Sequence, residues 1–127
     1  MKINLTSIFV KDQEKAFEFY TEKLGFVKKQ DVPLGQFKWL TVVSSENPDG
    51  TELLLEPNNN PVAEAYQKGI FEQGIAAASF AVDDINGEHE KLEKLGVRFT
   101  MPPTKTGEVT IAVFEDTCGN LIQIMEK

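Results

Sequence analysis

Few side chains in this sequence have the chemistry to act on a bound molecule, so they are considered first. There is one histidine, one cysteine and one tryptophan in 127 residues. His89 stands among charged neighbours in Asn86-Gly87-Glu88-His89-Glu90-Lys91, which reads as a solvated helix position rather than a metal ligand. Cys118 follows Glu115 and Asp116. Carboxylates beside a thiol disfavour the thiolate, and no histidine lies nearby as a base, so the cysteine reads as structural. The acid pairs Asp83-Asp84 and Glu115-Asp116 could in principle hold a hard cation, but Asp84 fits a helix N-cap and Asp116 the start of a turn. Gln123 is the one polar residue in the apolar strand Leu121–Met125, and it could face solvent, a ligand or a metal.

These residues must be positioned by regular elements, and the chain announces them clearly. Ile3 to Val10 carries the β-branched and aromatic pattern of a strand. Asp12 is placed to cap a helix whose apolar stripe runs through Ala16, Phe17, Phe19, Tyr20 and Leu24, closed by Gly25. Phe26–Gln30, Phe37–Val43 and Thr51–Glu56 read as strands separated by turns at Pro33-Leu34-Gly35 and Glu46–Gly50. Pro57-Asn58-Asn59-Asn60-Pro61 breaks the pattern, and a short helix over Val62–Gln67 is expected inside a connector. A strand at Ile75–Val82, a helix at Ile85–Lys94 closed by Gly96, and a strand at Val97–Met101 ended by Pro102-Pro103 follow. The chain finishes in a hairpin from Glu108 to Lys127, turning at Asp116–Asn120.

Both halves therefore read as βαβββ. Val10-Lys11-Asp12 recurs as Val82-Asp83-Asp84, and Lys23-Leu24-Gly25-Phe26 as Lys94-Leu95-Gly96-Val97, each some seventy residues later. The expected class is α+β in a single domain built of tandem modules: module one about 1–57, a linker about 58–74, module two about 75–127.

Composition bounds the partners. Hydrophobic residues make up 41% and charged residues 26%, ordinary for a soluble globular protein. No apolar run approaches the roughly 20 residues that span a bilayer, and the amino terminus lacks the apolar core of a signal peptide. A cytoplasmic protein without a membrane partner is expected. A net charge of −7 argues against nucleic acid.

With these residues in view, the sequence resembles the vicinal oxygen chelate superfamily, the glyoxalase, bleomycin-resistance and extradiol dioxygenase group. The resemblance is carried by Ala16-Phe17-Glu18-Phe19-Tyr20 with Leu24-Gly25-Phe26, by Val82-Asp83-Asp84, by Leu95-Gly96-Val97, and by Phe114 to Asn120, where Thr117 replaces the usual proline. It implies two βαβββ modules whose curved mixed sheets each form half of a cup. In metal-dependent relatives His and Glu side chains from the first and last strand of each module hold a divalent ion. Those places fall here on Leu5, on Leu53 (or, one residue to either side, Glu52 or Leu54), on Ala77 and on Gln123. Leucine and alanine have no donor atoms, and one neutral carboxamide is a poor site for zinc, nickel or iron.

No metal and no other cofactor is therefore expected. If those positions mark the inner face, period-two alternation adds Ser7 and Phe9, Leu55, Ser79 and Ala81, and Leu121 and Met125, with Phe37, Trp39 and Thr41 if their strand has that parity. The pocket candidates are Ser7, Phe9, Trp39, Leu53, Ser79, Gln123 and Met125, and no catalytic residue is assigned. The resemblance implies a homodimer that binds a small amphipathic molecule in an apolar cup. The alternatives are a lyase or dioxygenase of the same superfamily with an unconventional site, and an interaction module with no small ligand.

Overall fold

The computed structural model describes residues 1–127, which gather into two compact units, Met1–Ala65 and Tyr66–Lys127. No helix is long and apolar enough to cross a membrane. The element order is β1 (Leu5–Val10), α1 (Gln13–Glu18) running on as a π-helical turn over Phe19–Lys23, β2 (Val27–Leu34), β3 (Phe37–Val43) and β4 (Glu52–Pro57). Then come α2 (Pro61–Glu72), β5 (Ala78–Ala81), α3 (Ile85–Lys94), β6 (Phe99–Thr106), β7 (Val109–Glu115) and β8 (Leu121–Glu126). The strands form two four-stranded mixed sheets, β1-β4-β3-β2 and β5-β8-β7-β6, each with one parallel pair. The α+β class and the repeated module expected from the sequence are both present.

In the first unit α1 lies on β3 and β4. The Asp12 carboxylate caps the helix by accepting from the Lys15 amide at 3.1 Å. Ala16, Phe19 and Tyr20 are buried, as are the alternate strand positions Ile8, Val10, Leu40 and Val42. Widening of the last helical turn lets the adjacent rings of Phe19 and Tyr20 both point inward, edge to face at 5.6 Å. Each large side chain so buried stabilises the fold by roughly 2–3 kcal/mol. The helix ends at Gly25, whose φ of +85° an L side chain adopts only with strain.

The second unit repeats the plan. Asp84 caps α3 through the Gly87 amide at 3.0 Å, and α3 buries Ile85 and Leu92 over a sheet face carrying Ala112, Phe114, Ile122 and Ile124. The closing turn is held by the buried Asp116. Its carboxylate accepts from the amides of Cys118 (2.8 Å) and Asn120 (3.0 Å) and from the Asn120 side chain (2.8 Å). Thr117 takes φ +63°, a left-handed conformation that proline's ring forbids, so this turn follows a path the usual proline does not allow.

Several boundaries differ from expectation, and β5 covers only Ala78–Ala81 of the expected Ile75–Val82. β2 extends to Leu34 and β6 runs through Pro102 and Pro103, because both are outermost strands with irregular register, where a missing N–H costs no ladder bond. The connector helix is twice the expected length, and its Gln67, buried, donates to the Cys118 carbonyl at 3.1 Å.

Candidate functional site

Each sheet has one face under its helix and one face without a helix. On β1, Ile8 and Val10 take the helix side, so Leu5, Ser7 and Phe9 take the other. β1 and β4 run parallel with Ser7 opposite Leu54 and Ile8 opposite Leu55, and partners in a ladder share a face. Leu54, not Leu53, therefore stands beside Ser7. The sequence expectation for Leu53 and Leu55 is corrected: both sit on the helix side, within the core. The two faces of β4 are the reverse of those expected, because a one-residue shift in register reverses every side chain. On β3, Thr41 lies opposite Leu54, which puts Trp39 and Phe37 on the helix-free face as well.

That face of the first unit holds a polar constellation that sequence reasoning missed. A β-bulge at Lys29 shifts the pairing of β2 with β3 between Lys28 and Gln30. The Gln30 backbone N–H donates to the Thr41 hydroxyl at 3.1 Å. That hydroxyl donates to Glu52 Oε1 at 2.6 Å, and Gln30 Nε2 donates to the same oxygen at 2.7 Å. The Gln30 amide, the Thr41 hydroxyl and, more weakly, the Lys29 charge hold the Glu52 carboxyl below the ordinary range, outweighing the opposing effect of its surroundings. Glu52 is thus an oriented, ionised acceptor beside apolar side chains. The only sequence signal was its period-two spacing from Leu54.

Beyond Leu54 the pairing of β3 with β4 stops, and a helix residue fills the gap. Gln13 donates through Nε2 to the carbonyls of Lys38 and Leu55, both at 2.8 Å, and accepts from the Lys38 amide at 3.0 Å. The carboxamide thus completes backbone hydrogen bonding that the strands cannot make with each other. Apolar side chains lie on the outer part of the same face: Val32 and Leu34 are 47% and 56% exposed, and Phe9, Phe37 and Trp39 are half-buried.

In the second unit Ser79 lies opposite Gln123, and Ala81 opposite Met125, on the face away from α3. Gln123 Nε2 donates to the Ser79 hydroxyl at 2.9 Å, leaving the Gln123 carbonyl oxygen available on that face. Met125 lies opposite Ile111, and Gln123 opposite Val113, which gives the amide apolar neighbours, while Thr104 and Thr106 stand farther out on the same face. His89 is half-buried rather than solvated. Its ring meets Phe99 edge-on at 4.5 Å, and Nε2 lies 3.4 Å from the Glu93 carboxylate.

The metal of the metal-dependent relatives can be tested against these residues. Of the four places, Leu5 and Ala77 offer no donor atom, Gln123 has committed its amide nitrogen to Ser79, and on β4 the helix-free face offers Leu54 or the Glu52 carboxylate, whose Oε1 already accepts from Thr41 and Gln30. No group of three or more His, Cys, Asp or Glu side chains comes together. The donor set does not fit a divalent transition ion.

Comparison with known proteins agrees with this architecture. A family model for the Glyoxalase/Bleomycin resistance protein/Dioxygenase superfamily matches residues 2–124. The chain is 64% identical over 127 residues to YurT of Bacillus subtilis (strain 168), covering 100% of both. The crystal structure of UcmS2 superposes with a TM-score of 0.84 at 31% identity, over 98% of this chain and 97% of that one. TnmS3, an antibiotic binding protein from Streptomyces sp. CB03234, superposes with a TM-score of 0.76 at 26% identity, over 99% and 95%.

Proposed function

Because the chain belongs to the Glyoxalase/Bleomycin resistance protein/Dioxygenase superfamily, we propose that it binds a small amphipathic molecule on the helix-free faces of its sheets, without a metal ion. The observation that carries this reading is the makeup of those faces. They present Phe9, Trp39, Val32 and Leu34 in one unit and Met125 in the other, with a few polar groups among them, Ser7 and the hydrogen-bonded Glu52, Ser79 and Gln123. A mostly apolar surface with few oriented polar groups suits a small organic ligand. The likeness to an antibiotic binding protein supports a binding role. In this reading the protein is a cytoplasmic homodimer.

Trp39 is the single tryptophan and reports on the first face directly. Titration with a panel of aromatic and amphipathic compounds is expected to give a saturable change in its fluorescence. No saturable response across the panel would count against binding. Metal analysis of protein purified without chelator separates this reading from a metal-dependent lyase or dioxygenase. Stoichiometric nickel, zinc, iron or manganese would favour the enzyme.

A further inference from the structure

We propose that Glu52 is the recognition point for a protonated amine carried by an otherwise apolar ligand, its second carboxylate oxygen accepting the ammonium hydrogens. This deepens the binding reading above, on which it rests, by adding the chemical class of the ligand. Both protein hydrogen bonds to the carboxylate, from Thr41 at 2.6 Å and Gln30 at 2.7 Å, fall on one oxygen, Oε1. They fix the plane of the carboxylate and leave Oε2 without a protein donor. The nearest lysine acts on it only through weak coulombic attraction and gives it no hydrogen bond: the Lys29 ammonium is committed to the Pro48 carbonyl at 3.1 Å and to the Asp49 carboxylate at 3.4 Å. An ionised, pre-oriented acceptor with a vacant oxygen makes a short charge-assisted hydrogen bond to an N–H cation without first ordering itself.

The surroundings select the rest of the ligand. Thr41 is followed on the same face, two residues along β3, by Trp39, and Leu54 lies between Thr41 and Ser7 in the ladder. A cation whose ammonium meets Glu52 therefore lays its hydrocarbon body over Leu54 and toward Trp39, whose ring face also favours positive charge. The net charge of −7 draws cations toward the protein and disfavours anionic analogues.

The experiment compares two probes of matched shape, 4-phenylbutylammonium and the neutral 4-phenylbutan-1-ol, by calorimetry at pH 7 and moderate salt. Wild type is expected to bind the amine at least about tenfold more tightly than the alcohol. Glu52→Gln, which keeps the shape and the two donors' partner, is expected to bind both alike. The charge-matched control Glu18→Gln, on the exposed side of α1, is expected to keep the full preference. If the amine and alcohol bind wild type equally, or if Glu52→Gln keeps the preference, the cation assignment is overturned while the apolar binding reading stands. If neither probe binds, the binding reading fails and the assignment with it. Thr41→Val guards against a misfolded Glu52→Gln protein. It keeps the charge but loosens its orientation, and it is expected to lower the amine preference at least about threefold. An unchanged preference there argues against the proposal.

Discussion

At the scale of single residues, two side chains have roles that their types did not announce. Gln13 looked like an ordinary first-turn residue of a helix, yet its carboxamide serves three backbone groups of β3 and β4. Removing it leaves those groups to water or to no partner. Gln13→Ala is expected to lower unfolding free energy by about 2–3 kcal/mol, at roughly 1 kcal/mol per hydrogen bond, measured by urea denaturation. Glu52 has a carboxyl held below its ordinary range of about 4.5 by hydrogen bonds from Gln30 and Thr41. A depressed folded-state value means the unfolded chain binds the proton more readily. The stability this group contributes is therefore present above pH 4.5 and lost as pH falls through the folded value. Comparing wild type with Glu52→Gln from pH 7 down to pH 3, the variant is expected to show the shallower loss. Parallel curves would mean that the hydrogen-bonded carboxylate contributes nothing to stability. Gln123, conspicuous in the sequence, turns out to face Ser79 on the helix-free side, with its carbonyl available.

At the scale of elements, the helices were legible because their signals are local. Asp12 and Asp84 cap as expected, Gly25 and Gly96 close with φ near +85°, and α3 spans the residues its pattern predicts. Strand edges were less legible, since a proline breaks a central strand yet is tolerated in an outermost one, and only the sheet order says which strand is outermost. Strand β4 was ambiguous for a related reason. Glu52-Leu53-Leu54-Leu55-Glu56 has three leucines in a row, so hydrophobicity alone does not choose a face. The ladder with β1 and β3 does choose, placing Leu54 with Ser7 and Thr41. Leu53→Ala is accordingly expected to cost about 2–3 kcal/mol in stability, through the cavity it leaves under α1, with ligand affinity unchanged. Leu54→Ala is expected to weaken binding of the same apolar probe severalfold. Calorimetry on both variants checks the assignment, and the opposite pattern would reverse the two faces.

At the scale of the whole molecule, each sheet ends in two strands that have a single neighbour, β1 and β2 in one and β5 and β6 in the other. Unpaired strand edges and exposed apolar residues such as Val32 and Leu34 are what self-association covers. A homodimer is expected at micromolar concentration by sedimentation velocity. A monomer under those conditions removes that expectation.

The sequence by itself determined the class of fold, the repeated βαβββ order, the helix ends and the absence of donor atoms at Leu5 and Ala77, two of the four family metal positions. These are properties of residue type and short-range spacing, so neighbouring residues suffice to set them. Only the tertiary structure decided which face of each strand is which, where Gln13 reaches, and that Gln30, Thr41 and Glu52 converge. Register couples residues far apart in the chain, and the bulge at Lys29 that brings Gln30 onto Thr41 exists only once two strands pair.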